Sequence, residues 1–407
     1  MIMAEIATKI PALRFPQFEG EWKLKKVGET LSRVGTPVKV EKHINYQQIG
    51  IRSHGKGLFH KALVSGEDLG NKRVFWVESN AFIVNIVFAW EQAVAKTTSI
   101  EEGMIASHRF PMFQSQEKHP VDLDFVLHFF LTKKGKVVLE AASPGGAGRN
   151  KTLGQKEFER QKLFYPSLPE QQKIATFLTT IDTRIQQLSR KKALLEQYKK
   201  GVMQQIFSQE IRFKNEEGKE FPAWEEKRLG EIGDFIGGGT PDTQNSEYWN
   251  GDILWFTPTE VKEGILTTSK RKITEQGLRN SSAKLLPAGA LLITTRATIG
   301  DIGIAKFPCT TNQGFQSLVV NKNQVNIFWY FWFLCNKNEL IRLCSGSTFP
   351  EIGKNKIIQI AASVPTQPEQ QKIAAFLTTI DRQINLASQQ LNRMQTFKKG
   401  LLQQMFV

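Results

Sequence analysis

Cysteine is scarce in this chain. Three cysteines among 407 residues (Cys309, Cys335 and Cys344) do not make a disulfide framework and suggest a reducing cytosol. Long apolar runs are missing too. The longest, Ala81 to Trp90 and Val325 to Cys335, fall well short of the roughly 20 residues that cross a bilayer, so no membrane partner is expected. No charged-then-apolar leader opens the chain, which reads against a signal peptide. Acidic residues are outnumbered, leaving a formal charge of +15 and a pI near 9.6. A balance that basic favours a polyanionic partner such as nucleic acid.

Catalytic signatures are absent as well. There is no Asn-Pro-Pro-aromatic or Asp-Pro-Pro-aromatic motif of an amino-methyltransferase, no Cys-x-x-Cys and no His-Glu-x-x-His. The nearest approach to a P-loop, Gly353-Lys354-Asn355, has Thr348 in place of the first glycine and Asn355 where magnesium needs Ser or Thr. Pro241-Asp242 followed by Glu260-Val261-Lys262 outlines a nuclease-like pattern, but a loop turn and a surface charge pair explain it better. Two glycine clusters, Gly145-Gly146-Ala147-Gly148-Arg149 and Gly237-Gly238-Gly239, could bring backbone N–H groups close to phosphates or simply make tight turns.

What the chain does have is a repeat. Pro169-Glu170-Gln171-Gln172-Lys173-Ile174-Ala175 returns unchanged as Pro368 to Ala374, and Phe177 to Asp182 as Phe376 to Asp381. Lys199-Lys200-Gly201 returns as Lys398-Lys399-Gly400 at the same offset of 199, and 21 of 39 paired positions are identical. The segments between the copies share only a short entry motif, in which Phe15-Pro16, Trp22 and Lys26-Val27-Gly28-Glu29 match Phe221-Pro222, Trp224 and Arg228-Leu229-Gly230-Glu231. The expected layout is a tail (1–13), a compact segment (14–166), a helix (167–208), a polar linker (209–220), a second compact segment (221–365) and a closing helix (366–407). Val74 to Val77, Phe82 to Trp90, Ala290 to Thr295 and Ile302 to Lys306 read as strands; Asp124 to Leu131 and Ile327 to Leu334 read as buried helix. In the latter, the run Phe328 to Phe333 is better read as core than as a base-stacking surface, and so are Trp249 and Trp255.

Both repeats carry a capping-box pattern, Ser167-Leu168-Pro169-Glu170 and Thr366-Gln367-Pro368-Glu369. Apolar residues then recur at alternating spacings of four and three: Ile174, Leu178, Ile181, Ile185, Leu188 and Leu195 in one copy, Ile373, Leu377, Ile380, Ile384, Leu391 and Met394 in the other. Such a narrow seam suits another helix, and the simplest partner for each copy is the other copy. Each rod is about 58 Å long at 1.5 Å per residue. The circular order of the repeat favours antiparallel pairing, with parallel pairing left open by the residues alone.

These motifs, with Arg14-Phe15-Pro16…Trp22, Gly239-Thr240-Pro241…Tyr248-Trp249…Gly251-Asp252-Ile253…Trp255 and Thr311-Asn312-Gln313-Gly314-Phe315, resemble the specificity subunit of type I restriction–modification systems over essentially the whole chain. The resemblance implies an α+β fold: two similar mixed α/β target-recognition domains separated by two long antiparallel coiled-coil helices, in pseudo-twofold order. Each domain would read one half of a split, asymmetric site on double-stranded DNA. The helices would set the spacer, near the scale of about 34 Å between successive major-groove faces, and bind two methyltransferase subunits. Motor-nuclease (restriction) subunits would join, and S-adenosylmethionine, ATP and magnesium would belong to these partners, leaving this chain non-catalytic, cofactor-free and cytoplasmic. An autonomous nuclease or methyltransferase, or a coiled-coil scaffold without DNA, are the competing classes.

Polarity beside glycine or aromatic residues nominates DNA contacts. In the first domain these are Tyr46, Gln47, Gln48, Arg52, Ser53, His54, Lys56, Ser107, His108, Arg109 and Arg149. In the second they are Thr240, Thr257, Thr259, Lys270, Arg271, Arg296, Asn312, Gln313, Gln316 and Thr348.

Overall fold

The computed structural model describes residues 10–145, 151–344 and 351–407; Arg149 and Thr348 lie outside them. The chain forms two compact units, one of Met1–Ser189 with Gln389–Val407, the other of Arg190–Ser388. Each unit therefore takes part of both long helices, the central helix Leu168–Phe207 and the closing helix Gln367–Gln404.

In the first unit, strands β1 (Lys23–Lys26) and β10 (Lys162–Tyr165) pair antiparallel and lead into the central helix. One sheet orders β2 (Leu31–Val34), β9 (Met112–Ser115), β6 (Phe82–Val84) and β7 (Val94–Lys96). The other orders β4 (Leu58–Ser65), β3 (Asn45–Ile51), β8 (Ile105–Ser107) and β5 (Val74–Trp76), with β3 and β8 parallel. The expected strand from Phe82 to Trp90 stops at Val84: Asn85 accepts the Val87 amide and Gln92 adopts φ +57°, so the chain turns.

The second unit repeats the plan. Strands β11 (Glu225–Arg228) and β20 (Ala361–Val364) pair antiparallel. A five-stranded sheet orders β12 (Gly233–Gly237), β19 (Gln316–Val320), β16 (Leu291–Ile293), β17 (Ile302–Ala305) and β14 (Ile265–Leu266). A three-stranded sheet orders β15 (Arg271–Ile273), β13 (Trp249–Phe256) and β18 (Cys309–Thr311), with β13 and β18 parallel. The aromatic helix Asn326–Cys335 buries Phe328 to Phe333.

Within each unit the long helices run antiparallel. In the first, Ile174, Leu178, Ile181 and Ile185 share a core with Phe406, Met405, Leu401 and Met394. In the second, Ile373, Leu377, Ile380 and Ile384 share one with Ile206, Met203 and Val202. Leu188 is buried in the same way, whereas Leu195 and Leu391 are half-buried. The seam is not helix against helix alone. It is continuous with the domain core, because Trp22, Phe125 and Tyr165 pack onto it in one unit and Phe328, Ile357 and Val364 in the other. Phe406 sits 5.2 Å from the Phe125 ring, and Phe207 lies 5.6 Å from Phe328. Burying such a ring contributes about 1.5–3 kcal/mol.

Letters shared off the seam have structural work of their own. Glu170, 2% exposed, accepts from Arg14 at 2.8 and 2.7 Å; Glu369, 0% exposed, accepts from Arg212 at 3.2 and 2.8 Å. This corrects two expectations. Neither capping box forms, since both glutamates bind a guanidinium through two oxygens, a stronger charge-assisted bond, and Thr366 Oγ1 is left buried without a partner. The entry motif also begins earlier in the second half: Arg212-Phe213, inside the polar 209–220 segment, does what Arg14-Phe15 does. Phe15 packs edge-on to Phe177 at 5.6 Å and Phe213 to Phe376 at 5.4 Å. Gln171 accepts the Asp122 amide and donates to Pro166 O; Gln370 does the same with Val325 and Pro365.

Candidate nucleic-acid interface

Parallel strands place the loops that follow them at one end of a sheet. In the first unit β3 is followed by Arg52, Ser53, His54 and Lys56, and its parallel neighbour β8 by His108 and Arg109. The turn after β6 joins these two loops. His54 and Gly55 donate to Glu91 and Gln92 carbonyls at 2.6 and 3.0 Å, and Ile86 donates to Arg109 O at 3.0 Å. His54 holds φ +61°, a left-handed conformation that a histidine adopts at some cost and that these bonds enforce. Leu153, just past the 146–150 segment, also donates to Ile86 O.

The second unit brings the same segments together. Thr257 and Thr259 follow β13, and Asn312 and Gln313 follow its parallel neighbour β18. The turn after β16 touches both: Thr295 donates to Gly314 O at 2.8 Å and Thr298 Oγ1 to Pro258 O at 3.2 Å. Ile352, 199 positions after Leu153, donates to Thr295 O.

Side chains on the two faces differ. The first carries exposed Arg52, His54, Lys56, His108 and Arg109. Arg52 folds back, its guanidinium 4.6 Å above the Phe59 ring and its Nη1 donating to Leu58 O. Ser107 Oγ accepts the Arg109 amide, shaping that turn. On the second face Thr240 Oγ1 donates to Gln313 Oε1 at 2.6 Å, and Asn312 Oδ1 accepts the Gly314 amide. Thr257 Oγ1 donates to Glu260, which also accepts the Lys270 amide. Arg296 forms a 2.9 Å ion pair with Glu351, while Thr259 and Lys270 are exposed. Arg271 lies over the rings of Trp249 and Trp255.

Several nominated residues point elsewhere. Tyr46 is core: it is 5% exposed and its hydroxyl accepts the Glu41 amide. Gln47 and Gln48 are half-buried within β3, and Gln47 donates to Lys61 O across the hairpin. Gln316 turns inward from β19, with its Oε1 buried and unpartnered. The Gly237–Gly239 cluster serves close packing. A Cβ on Gly238 would meet Asn312 O at 2.1 Å, and the Gly239 N–H already donates to Thr311 O. Asp242 and Glu260 of the nuclease-like pattern accept local turn amides, from Gln244 and from Thr257 and Lys270. Residue reading missed Lys151, whose ammonium lies 5.9 Å above the Trp90 ring beside the first face. Its position just after the glycine cluster is the signal that could have found it.

Comparison with known proteins agrees with this duplicated plan. The chain belongs to the family described as the type I restriction modification DNA specificity domain, which matches residues 36–197 and again 223–396. It is 36% identical over 181 residues to the type I restriction enzyme MjaIX specificity subunit of Methanocaldococcus jannaschii, covering 43% of this chain and 42% of that protein. It is 31% identical over 174 residues to the EcoR124I/EcoR124II specificity subunit of Escherichia coli, covering 41% and 43%. These alignments span about two fifths of each relative's length. The MjaVIII specificity subunit of M. jannaschii aligns more widely, 23% identical with 80% of each chain covered. The fold is that of the type I restriction-modification S subunit from M. genitalium, with a TM-score of 0.62 at 15% identity and 98% of this chain covered. No helix among the described residues is long and apolar enough to cross a membrane.

Proposed function

We propose that this chain is the DNA-reading subunit of a type I restriction–modification complex, in which each unit reads one half of a split DNA site. One observation carries this reading. Three turns, following β3, β8 and β6 in one unit and β13, β18 and β16 in the other, gather at corresponding places while presenting different side chains. A shared frame with divergent tips is what two readers of unlike sequences require. Arg52, His54, Lys56, His108, Arg109 and Lys151 would grip the first half-site, and Thr240, Thr259, Lys270, Arg271, Arg296, Asn312 and Gln313 the second. The charge of +15 supplies salt-sensitive affinity for the backbone.

Two methyltransferase subunits would dock on what the chain presents twice. Gln172, Thr179, Thr180, Lys200, Gln204 and Gln205 are exposed and recur unchanged, also exposed, 199 residues later. Exposed Tyr198 and Phe397 correspond at the same offset. Identity at exposed positions is not demanded by a core, so a partner present in two copies is its natural cause. Methyl transfer, with S-adenosylmethionine, and ATP- and magnesium-dependent restriction would belong to partner subunits in the cytoplasm, and this chain would be non-catalytic.

The test exchanges residues 221–364 for those of another family member and maps modified adenines in a host expressing the cognate methyltransferase. One half-site should change while the other stays. A change at both half-sites, or DNA modification by the chain without partners, would overturn the reading.

A further inference from the structure

Trp249 and Trp255 form an edge-to-face pair, with centroids 5.1 Å apart and planes at 87°. Both rings are buried and pinned through their indole N–H groups, Trp249 to Asp242 O and Trp255 to Gly239 O, each at 2.9 Å. Ile273 and Ala283 complete the cluster. Arg271 stands directly across the strand pair from Trp255 in β15, an edge strand, and shares a face with Ile273. Its guanidinium carbon lies 3.3 Å from the Trp249 centroid and 5.6 Å from that of Trp255. Among the described residues this guanidinium makes no hydrogen bond and no ion pair, yet the residue is exposed.

This differs from an ordinary surface arginine, which is mobile or paired with a carboxylate. One flat side is covered by an aromatic ring that is itself immobile, so only the N–H edge remains available. A rigid, planar, unsatisfied fork suits two acceptors lying in one plane. The O6 and N7 atoms of guanine, side by side in the major groove, are such a pair. A phosphate can also take a guanidinium fork, but a backbone contact needs only charge within reach and gives less reason for a fixed indole mount.

We infer that Arg271 reads a guanine in the half-site of the second unit, and that Trp249 is the positioning residue that holds its guanidinium edge-on to the base; this rests on the DNA-reading role proposed above. Gly239, whose carbonyl anchors Trp255, adjoins Thr240, so the mount and the Thr240–Gln313 pair belong to one surface.

The experiment expresses wild type, R271A, R271K, W249L and W249F with the cognate methyltransferase in a methylation-free host and maps modified adenines genome-wide. Thermal melting checks folding. Wild type should modify one bipartite motif. R271A and R271K should each relax one guanine of one half-site, with discrimination there falling about tenfold or more. W249L keeps an apolar side chain but offers no ring, and it should relax the same guanine with Arg271 still present; W249F should restore it. A uniform loss of modification with an unchanged motif would make Arg271 a phosphate contact and overturn the inference, as would no change at all. Relaxation with R271A but not with W249L would overturn the positioning role. If the wild type modifies no bipartite motif, the DNA-reading proposal itself fails, an outcome distinct from every variant result.

Discussion

Lys199 on the central helix and Asp381 on the closing helix meet at 2.7 Å, and Asp182 with Lys398 repeats the contact at 2.5 Å with the helices exchanged. Each residue of one pair lies 199 positions from its counterpart in the other. An antiparallel arrangement of two copies creates both bonds at once; parallel copies would set like beside like. The groups are partly exposed, so K199A should cost about 1 kcal/mol in urea unfolding. K199D should cost more, by opposing two carboxylates, and K199D/D381K should recover most of the loss. Failure of the reciprocal swap to recover stability would show that the pair does not pin the register.

The Arg212–Glu369 contact calls for a larger effect. Glu369 is fully buried, so R212A strands a carboxylate away from water. Removing one partner of a buried pair costs about 3–5 kcal/mol. E369Q should be milder, because a neutral amide is cheaper to bury. Calorimetry of the two variants should show R212A melting earlier.

What the residues alone reveal divides by physical cause. The long helices and their pairing residues follow from periodicity, and the buried aromatic helix from its dense apolar run; both are properties of adjacent letters. Strands β5, β16 and β17 followed from short apolar runs flanked by turn residues. The purposes of Glu170 and Gln171 did not, because their partners, Arg14 and Asp122, are distant in sequence. The candidate face was half legible. Polar residues beside glycines could be nominated, but which turns meet depends on β3 lying parallel to β8 and β13 to β18, a long-range fact. Tyr46 misled because a strand tyrosine with a satisfied hydroxyl looks, as a letter, like an exposed one. Polarity alone nominates Arg271, and only the fold shows the tryptophan beneath it.

His128 makes the first unit sensitive to acid. Burial, followed by the nearby Lys398, pushes its imidazole down to about 4 from the usual 6.5. Asp182 and Asp124 pull the other way, Lys96 opposes protonation, and Nδ1 has no hydrogen-bond partner. Because the unfolded chain binds a proton there first, stability contributed by neutral His128 is complete above pH 6.5 and is lost as pH falls toward 4. The full loss approaches about 3 kcal/mol. The corresponding position of the second unit holds Phe331, which packs against Lys199 with no such liability. Urea midpoints between pH 7 and pH 4.5 should fall less steeply for H128F than for wild type. Equal slopes would mean that His128 is not the titrating group.

Phe397 and Tyr198 are 52% and 53% exposed at matched positions of the two helices. Phe397 borders a groove of about 290 Å³ with Leu188, Met394, Arg184 and Arg393. Tyr198 has exposed Leu194 one turn before it. Large aromatics left in water at duplicated sites serve as anchors for a partner more readily than as packing, since truncating interface aromatics often costs 2 kcal/mol or more, by the order of alanine-scan hot spots. If the docking proposed above holds, F397A and Y198A should each weaken one of the two proposed methyltransferase sites by about tenfold or more, leaving the folded chain intact. Native mass spectrometry should then show a one-to-one complex accumulating for either single variant, and free chain for the double variant. A two-to-one complex that survives the double substitution would place the docking surface elsewhere.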